Sequence, residues 1–216
     1  MEDLDVLSFR LLKNNMNIII SLLIGYIIGS IPAALVIGKV FYNKDVRQYG
    51  SGNLGGSNTG RVLGKKAGLA VMFLDVLKAI ISISIIYILY KDLLYLLLCG
   101  ISCNIGHCYP IFARFKGGKA VSTFVGYLIG ISFYVYHDPL FFIISVGIFI
   151  IVLYKTKIVS LSSMICALSV SLYIFIQLGF TPTFITTFIL ALFLIFRHRS
   201  NISRLKERNE NKIKWM

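Results

Sequence analysis

Long apolar runs alternate with short polar segments along almost the entire chain. Most of these runs approach or reach the about 20 residues that an α-helix needs to cross a bilayer. They lie at residues 17–42, 67–90, 93–112, 120–136, 140–154, 158–178 and 182–196. The pattern predicts an all-α membrane protein, a polytopic bundle of about seven transmembrane helices with short re-entrant or interfacial loops. If two of the short runs are re-entrant, five helices cross the membrane instead.

Two of the runs carry residues that predict how their helices pack. Gly25 and Gly29 form a G-x-x-x-G motif, which lets a second helix approach closely, and Pro32 is expected to kink the same helix. In the second run Asp75 and Lys78 are three residues apart and therefore share one helix face. Charges inside a membrane usually face the protein interior in pairs. We interpret Lys78 as a structural partner of Asp75 and leave open whether Asp75 is structural or functional.

The composition excludes a soluble protein. Of the 216 residues, 57% are hydrophobic and 14% are charged, whereas soluble domains contain about 25% charged residues. We interpret the formal net charge of +13 as loop charge that sets the orientation, and we expect no nucleic-acid partner. Lys and Arg are concentrated in alternate loops and in the tail from Arg197 onward. By the positive-inside rule these loops and the C-terminus are cytoplasmic, and the N-terminus is outside.

The pattern indicates one integral-membrane domain at residues 16–200 with a flanking segment on each side. Residues 1–15 form a short charged leader, which is either a flexible lead-in or precedes an alternative start at Met16. A cleavable signal is not expected, because the apolar run after the leader is long and lacks a small-residue cleavage site. Residues 201–216 form a basic cytoplasmic tail.

The longest polar segment before the tail runs from Arg47 to Lys66 and is rich in glycine. Glycine lets backbone N–H groups approach an anion closely, while short polar side chains and nearby cations add donors and charge. The segment therefore predicts a phosphate-binding loop, and the alternative is a flexible polar linker. A linker explains glycine, serine and asparagine, but it does not explain the four flanking cations, which are Arg47, Arg61, Lys65 and Lys66.

Two further basic segments lie on the same predicted side of the membrane. The first contains Lys116, Gly117, Gly118 and Lys119, and the helix after it would place its N-terminal N–H groups beside the lysines. The second is RHRSN, in which His198 and Asn201 are three residues apart. A membrane-anchoring flank explains its arginines equally well, but does not require histidine or asparagine. We expect the three segments to converge on one anionic ligand, although each alone would also attract anionic lipid.

Three familiar site patterns are excluded. The G-x-G-x-x-G match at residues 50–55 lacks the preceding strand of a dinucleotide-binding fold. The glycines before Lys65 do not have the spacing of a P-loop. Cys99, Cys103 and His107 share one helix stripe, but the first and third lie roughly 12 Å apart along it, too far to share a metal ion. We expect packing roles for these three residues, and neither a metal nor an organic cofactor.

Several separated motifs together resemble the bacterial integral-membrane acyl-phosphate:glycerol-3-phosphate acyltransferases. In chain order they are GYIIGSIP, GSGNLGGSNTGRVLGKKAG, LDVLKA, GHCYPIFARFKGGKAVST, VSLSS and RHRSNISRL. The resemblance covers residues 25–213. It implies a multi-pass enzyme of phospholipid synthesis in the bacterial cell membrane, with its active site on the cytoplasmic face.

The resemblance also implies a reaction and a set of site residues. An acyl group would pass from acyl phosphate to the 1-hydroxyl of glycerol 3-phosphate, giving lysophosphatidic acid and phosphate. The implied catalytic residues are Ser51, Arg61, Lys119, His198 and Asn201. The implied substrate-binding residues are Gly50, Gly52, Asn53, Gly55, Gly56, Ser57, Asn58, Lys116, Gly117 and Gly118. Either His198 or a substrate phosphate would take the hydroxyl proton. Further implied partners are the bilayer and, transiently, the enzyme that makes the acyl phosphate.

The sequence departs from the family pattern at a few positions. Gly56 and Ser57 stand where alanine and threonine are usual, and Arg208 and Asn209 replace glycine and threonine. Ala120 replaces a usual glycine, which matters only if that position requires a positive φ. The alternative function is a membrane transporter or flippase for an organophosphate, using the same basic loops. Such a protein is expected to show matching half-repeats, and we find no clear repeat.

Overall fold

The computed structural model describes residues 4–213, which fold into helices and connecting segments without a β-strand among them. Residues 1–3 of the predicted leader and 214–216 of the predicted tail lie outside the described residues. The α-helices of the described chain are α1 Leu4–Gly29, α2 Ala33–Tyr42, α3 Gly56–Leu63, α4 Lys65–Tyr90, α5 Leu93–Cys108, α6 Val121–Ile131, α7 Leu140–Thr156, α8 Val159–Leu178, α9 Pro182–Arg197 and α10 Arg199–Lys206. The shorter helical turns are Val46–Gln48, Ile111–Ala113 and the π-helical Ser132–Tyr136.

All seven predicted apolar runs are helical, which confirms the predicted all-α bundle. Four segments are long and apolar enough to cross a bilayer, and they are Arg10–Tyr42, Lys65–Tyr90, Leu93–Ala113 and Val159–Leu178. α9 and α10 together also meet this condition, although they are bent by 59° at their junction. The apolar helices Val121–Tyr136 and Leu140–Thr156 are shorter. The number of crossings and the orientation of the termini stay predictions.

The first apolar run is interrupted at Pro32, as its sequence predicts. α1 ends at Gly29 and α2 begins at Ala33, because proline has no N–H with which to continue the helical hydrogen bonds. Before the break, α1 packs directly against α5. A β-carbon at Gly25 would overlap the carbonyl of Cys99, and one at Gly29 would overlap a carbonyl one turn further along α5. The close packing predicted for the G-x-x-x-G motif is therefore confirmed.

Part of the core lies where α5, α6 and α9 meet. The Tyr127 ring of α6 is fully buried, and it lies where a β-carbon at Gly100 of α5 would stand. Its hydroxyl is hydrogen-bonded to Thr186 and Thr187 of α9. Around the bundle, large apolar side chains such as Phe73 remain exposed. Such a surface is expected when lipid rather than water surrounds the helices.

The described ends of the chain are both continuous with the bundle. α1 starts at Leu4, so the described part of the leader runs directly into the first apolar helix. At the other end the N–H of Ile213 donates to the carbonyl of Lys157 at 2.8 Å, which returns the tail to the turn between α7 and α8. The carboxylate of Glu210 accepts a hydrogen bond from Ser160 at 3.0 Å. The division into leader, domain and tail stays a prediction.

Candidate active site

The first loop, residues 45–55, is folded around the side chain of Asn58. Asn58 Oδ1 accepts the N–H of Ser51 at 2.8 Å, and Nδ2 donates to two loop carbonyls at 3.0 and 3.2 Å. Gly50 has a φ of +61°, and a β-carbon there would overlap Asn58 Oδ1. Asn58 is only 2% exposed. In the structure its side chain holds the loop, and its predicted contact with substrate stays a prediction.

Arg47 connects the first loop to the segment that leads into the second loop, residues 114–120. Its guanidinium donates to the Asp45 carboxylate, and the shortest contact, from Nη2 to Oδ2, is 2.6 Å. Nη1 donates to the carbonyl of Ala113 at 3.4 Å. The hydrogen bond from Arg47 lowers the pKa of Asp45, so the pair is ionised at neutral pH. Arg47 is therefore engaged within the protein.

The backbone of the second loop lies against the imidazole of His107. The N–H of Gly118 donates to the His107 carbonyl at 3.0 Å, and a β-carbon on Gly118 would overlap ring atom Nε2. Arg197 at the end of α9 donates from Nη2 to the carbonyl of Gly118 at 3.1 Å. The place of Lys119, the next residue, is thus set by helices that are distant in the sequence.

Ala120 connects the second loop to α6 in a left-handed conformation. Its φ is 61° and its ψ is 11°, and α6 begins directly after it. This conformation disfavours a residue with a β-carbon by about 1–2 kcal/mol. Ala120 therefore adopts a positive φ, the condition under which its difference from the glycine implied by the family resemblance matters.

α9 and α10 meet at His198, which is 3% exposed. Its Nδ1 lies 2.8 Å from the carbonyl of Leu194. Because a carbonyl can only accept, the proton is on Nδ1, and Nε2 of the neutral ring is an acceptor. The His198 carbonyl accepts the N–H of Asn201 at 2.8 Å. This turn directs the Asn201 side chain toward the second loop.

A chain of polar contacts joins Lys119 to the tail. Lys119 Nζ donates to Asn201 Oδ1, and Asn201 Nδ2 donates to Glu210 Oε1 at 2.6 Å. Glu210 also accepts from Ser160 Oγ at 3.0 Å and from Arg204 Nε at 2.7 Å. The Asn201 amide is thereby held with its oxygen toward the lysine.

Lys119 and Glu210 lie at opposite ends of this chain and titrate differently. Burial lowers the pKa of Lys119 to about 8, and the nearby charges of Arg204 and Arg197 act in the same direction. Arg61 contributes a smaller effect in the same direction, whereas the Glu210 carboxylate acts in the opposite direction. At Glu210 burial raises the pKa, but hydrogen bonds from its three partners outweigh burial and lower it. Lys119 is therefore mostly charged at neutral pH yet close to losing its proton, whereas the carboxylate stays ionised.

A cavity of about 500 Å³ is bounded by the two loops and the α9–α10 junction. It is lined by Ser51, Gly52, Asn53, Phe115, Lys116, Gly117, Lys119, Arg197, Arg199, Ser200 and Arg204. Five of these residues are lysine or arginine, and none of the described lining residues carries a carboxylate. Cations gathered in one cleft attract anions strongly, so the lining favours a ligand with more than one negative charge.

The structure brings six of the predicted site residues to this cavity, and they are Ser51, Gly52, Asn53, Lys116, Gly117 and Lys119. The other predicted residues are outside its lining, and they are Gly50, Gly55, Gly56, Ser57, Asn58, Arg61, Gly118, His198 and Asn201. Some of these act on the cavity through a neighbour, as Asn201 does through Lys119. Gly56 instead packs against Met72 and Gly68, where it lets α3 approach α4.

Five lining residues were not among the individually predicted site residues, and they are Phe115, Arg197, Arg199, Ser200 and Arg204. Three of them belong to the RHRSN segment, which was expected to converge on the anion, although a membrane-anchoring flank explained its arginines equally well. Ser200 and Arg204 are four residues apart on α10 and so share one helix face. That spacing could have predicted from the sequence that Ser200 and Arg204 face the same site, whereas nothing in the sequence pattern indicated a role for Phe115.

An apolar helical bundle with a cation-lined cavity defines a membrane protein that handles a small anionic ligand. Comparison with known proteins then identifies the family. The family model described as glycerol-3-phosphate acyltransferase matches residues 19–208, which is most of the chain. The chain therefore belongs to the glycerol-3-phosphate acyltransferase family, and the resemblance inferred from its motifs is confirmed.

Relatives and solved structures agree with this assignment. The glycerol-3-phosphate acyltransferase of Enterococcus faecalis is 45% identical over 210 residues, covering 93% of this chain and 94% of the relative. That of Bacillus subtilis is 42% identical over 201 residues, covering 93% of this chain and 100% of the relative. The crystal structure of PlsY (YgiH), an integral membrane glycerol 3-phosphate acyltransferase, in its glycerol 3-phosphate form matches with a TM-score of 0.83 and 32% identity, covering 91% of this chain and 96% of that one. Its lysophosphatidic acid form matches with a TM-score of 0.81 and 31% identity, covering 91% and 95%. The all-α membrane fold is confirmed.

Proposed function

We propose that this protein transfers an acyl group from an acyl phosphate to the 1-hydroxyl of glycerol 3-phosphate. The products are lysophosphatidic acid and inorganic phosphate. The observation that carries the proposal is one cavity of about 500 Å³, in which the first loop supplies polar groups and the second loop and α9–α10 supply cations. Membership of the glycerol-3-phosphate acyltransferase family supports the acceptor.

An acyl phosphate suits this cavity better than an acyl-CoA. The mixed anhydride is already activated, so positioning and charge stabilisation are enough for transfer. None of the described lining residues is a histidine, cysteine or carboxylate that would activate a nucleophile. The H-x-x-x-x-D signature of the other acyltransferase class is missing after all three histidines of the chain. With an acyl-CoA donor, the protein would also have to accommodate the nucleotide and the pantetheine arm of CoA.

Each substrate is assigned to one side of the cavity. The acyl phosphate lies at Ser51 and the neighbouring N–H groups of the first loop, which the buried Asn58 supports. Glycerol 3-phosphate lies at Lys119 and Asn201, whose side chains are already paired. Arg61 and Lys119 then neutralise the charge that grows on the leaving phosphate.

The acceptor hydroxyl gives its proton to a substrate phosphate oxygen. The His198 ring is buried outside the cavity lining, and its Nδ1 proton is committed to Leu194. The 1-hydroxyl oxygen bonds to the acyl carbonyl carbon while its proton passes to the phosphate. The bond between the acyl carbon and the phosphate oxygen then breaks, and phosphate leaves with the electron pair. No acyl-enzyme forms in this scheme.

The charges of the connecting segments support a cytoplasmic cavity. The first loop, the second loop, the α7–α8 turn and α10 are basic, whereas the turn at Lys91 and Asp92 holds one cation and the turn at His137 and Asp138 holds no Lys or Arg. By the positive-inside rule this charge distribution supports a cavity on the cytoplasmic side, where glycerol 3-phosphate is dissolved. The acyl chain lies among the apolar helices, and the enzyme that makes the acyl phosphate delivers it by transient contact.

The test uses the purified protein with palmitoyl phosphate and radiolabelled glycerol 3-phosphate. We expect labelled lysophosphatidic acid with palmitoyl phosphate and none with palmitoyl-CoA. Ser51→Ala should reduce kcat/KM by about a hundredfold, and so should Arg61→Ala, which removes a charge that acts on Lys119. Lys155→Ala, which removes a cation in the last turn of α7, should not. Failure to form product from palmitoyl phosphate would contradict the proposal. Unacylated glycerol 3-phosphate accumulating inside sealed vesicles would indicate a transporter.

A further inference from the structure

A cluster of three buried ionisable residues, Asp75, Lys78 and His107, packs beneath the second loop. Their exposed fractions are 1%, 7% and 5%. Lys78 Nζ lies 2.8 Å from Asp75 Oδ1, which confirms the predicted ion pair, and 3.0 Å from His107 Nδ1. None of the three lines the cavity, so acyl transfer as proposed above does not use them directly.

Lys78 determines which nitrogen of His107 carries the proton. An ammonium group has three donors, and Lys78 Nζ has three acceptors, because it also donates to the carbonyl of Ile31 at 3.0 Å. His107 Nδ1 therefore accepts, and the imidazole proton is on Nε2. The 3.4 Å separation of His107 Nδ1 and Asp75 Oδ1 is then the distance between two acceptors of the same ammonium.

The imidazole edge that carries Nε2 faces the second loop. Nε2 is the atom that a β-carbon on Gly118 would meet first, ahead of Cε1 and Cδ2. The His107 carbonyl accepts the Gly118 N–H at 3.0 Å, and a β-carbon on Gly117 would overlap the same carbonyl. The backbone of Gly117 and Gly118, immediately before Lys119, therefore contacts both the ring and the carbonyl of His107.

The cluster also joins this loop to the break in the first apolar run. Ile31 lies between α1 and α2, and its carbonyl accepts from Lys78 of α4. Apolar side chains would be enough if this region served only helix packing, because burying charges in a membrane protein is costly. Buried charges of this kind therefore often mark a functional site. The buried ammonium, in contrast, contacts the Ile31 carbonyl, His107 Nδ1 and, as an ion pair, Asp75 Oδ1, and so ties three segments of the chain to one point.

We propose that the Asp75–Lys78–His107 cluster is a positioning device for acyl transfer, which fixes the backbone of Gly117 and Gly118 and so places Lys119 at the cavity. Lys78 orients the His107 ring, and the ring sets the path of the loop. The positioning role rests on the role proposed for Lys119. It assigns a function to Asp75, which the sequence left open.

The most informative single substitution is His107→Asn. Asparagine can still offer an acceptor near Nδ1 to Lys78, but it removes the ring atoms that face Gly118. Lys78→Met would instead leave the Asp75 carboxylate buried without its partner, which endangers folding. We expect His107→Asn to lower kcat/KM for glycerol 3-phosphate about tenfold or more through misplacement of Lys119, with a smaller change in KM for palmitoyl phosphate.

A matched control separates positioning from lost stability. Ser145→Ala removes a buried hydrogen bond to Cys166 between α7 and α8, away from the second loop. Thermal unfolding is measured for both variants, and their activities are compared at equal fractions of folded protein. If His107→Asn then loses no more activity than Ser145→Ala, the positioning role is wrong.

A double-mutant cycle with Gly118→Ala tests the contact itself. In the natural background the new β-carbon meets the His107 ring, so activity should fall about tenfold or more. In the His107→Asn background the nearest ring atoms are gone, and the added loss should be much smaller. Losses that simply multiply would show that the two residues act independently and would overturn the inference.

The natural protein and Lys119→Ala together distinguish failure of this inference from failure of the proposed function. If the natural protein forms no lysophosphatidic acid, the proposed function itself fails. If it does and Lys119→Ala is equally active, the catalytic role of Lys119 fails, and the positioning role fails with it. If Lys119 is required while His107 and Gly118 show no coupling, only the positioning role fails.

Discussion

The first and second loops both bring glycine and polar groups to the cavity, but they are held in different ways. In the first loop one side chain, Asn58, makes three hydrogen bonds to a stretch only a few residues before it. In the second loop the support comes from His107 of α5 and Arg197 of α9. The first loop is therefore a local structure, and the second is a product of the assembled bundle.

The difference has a consequence for chemistry. The local first loop presents Ser51 and backbone N–H groups, whose shape depends on little else. The second loop presents Lys119, whose pKa of about 8 results from burial and from charges on α3, α9 and α10. We expect loss of the Asn58 side chain that supports the first loop to act mainly on stability, and loss of Lys119 in the second loop to act mainly on catalysis.

The largest effect is expected for Lys119→Ala, which removes the half-buried cation of the second loop. Loss of one preorganised stabilising group of this kind reduces kcat about a hundredfold to a thousandfold. Lys116→Ala is the matched control, because Lys116 also lines the cavity but is exposed on the surface. Steady-state rates with palmitoyl phosphate measure both variants. Equal losses would contradict a special role for the half-buried lysine.

The pH dependence of kcat/KM sharpens the same distinction. The pKa of Lys119 is lowered to about 8, so the group is protonated below pH 8 and loses its charge as the pH rises through that value. If the charge is required, kcat/KM falls about tenfold per pH unit above pH 8, since this parameter reports the free enzyme. In Lys119→Arg the fall should move to much higher pH. A fall that is unchanged in that variant would assign the titration to another group.

A smaller effect, on stability, is expected for Asn58→Ala in the first loop. The substitution removes three hydrogen bonds inside a buried region, which should lower the free energy of unfolding by about 2 kcal/mol. Hydrogen exchange at the Ser51 amide should also become faster. Asn53→Ala is the control in the same loop, because Asn53 lines the cavity and should change KM with little effect on stability. If Asn58→Ala changed only KM while Asn53→Ala lowered the free energy of unfolding, the structural role assigned to Asn58 would be wrong.

The smallest effect is expected for Ala120→Gly at the end of the second loop. Glycine relieves the strain of a φ of 61°, although it also increases the entropy of the unfolded chain. The variant should be more stable by about 0.5–1 kcal/mol in denaturant unfolding. A loss of stability would mean that the alanine methyl group makes packing contacts that outweigh the strain.

The sequence predicted what depends on local pattern. Apolar run length located the helices, Pro32 located the break, and the glycine spacing at Gly25 located a close helix contact. The charge spacing of Asp75 and Lys78 likewise predicted their ion pair. Each of these follows from residues within a few turns of one another.

What the sequence could not predict depends on contacts between distant segments. The family resemblance implied that Asn58 binds substrate, and nothing in the neighbouring sequence shows that its side chain also makes three hydrogen bonds to the first loop. His107 was interpreted as a packing residue. Its ring contacts Gly118 only in the folded bundle, where α5 and the second loop come together, so no local sequence pattern could indicate this contact. For the arginines of RHRSN the sequence left a membrane-anchoring flank and an anion site equally open, and only the assembled bundle shows that they line the cavity.

The central claim is that acyl phosphate and glycerol 3-phosphate occupy one cavity together and react without an acyl-enzyme. The initial-velocity pattern tests this claim most directly. Palmitoyl phosphate is varied at several fixed concentrations of glycerol 3-phosphate, and double-reciprocal plots are compared. The account predicts intersecting lines, because both substrates must be bound together before transfer. Parallel lines, with an acyl mass added to the protein by palmitoyl phosphate alone, would show a ping-pong mechanism and contradict the account.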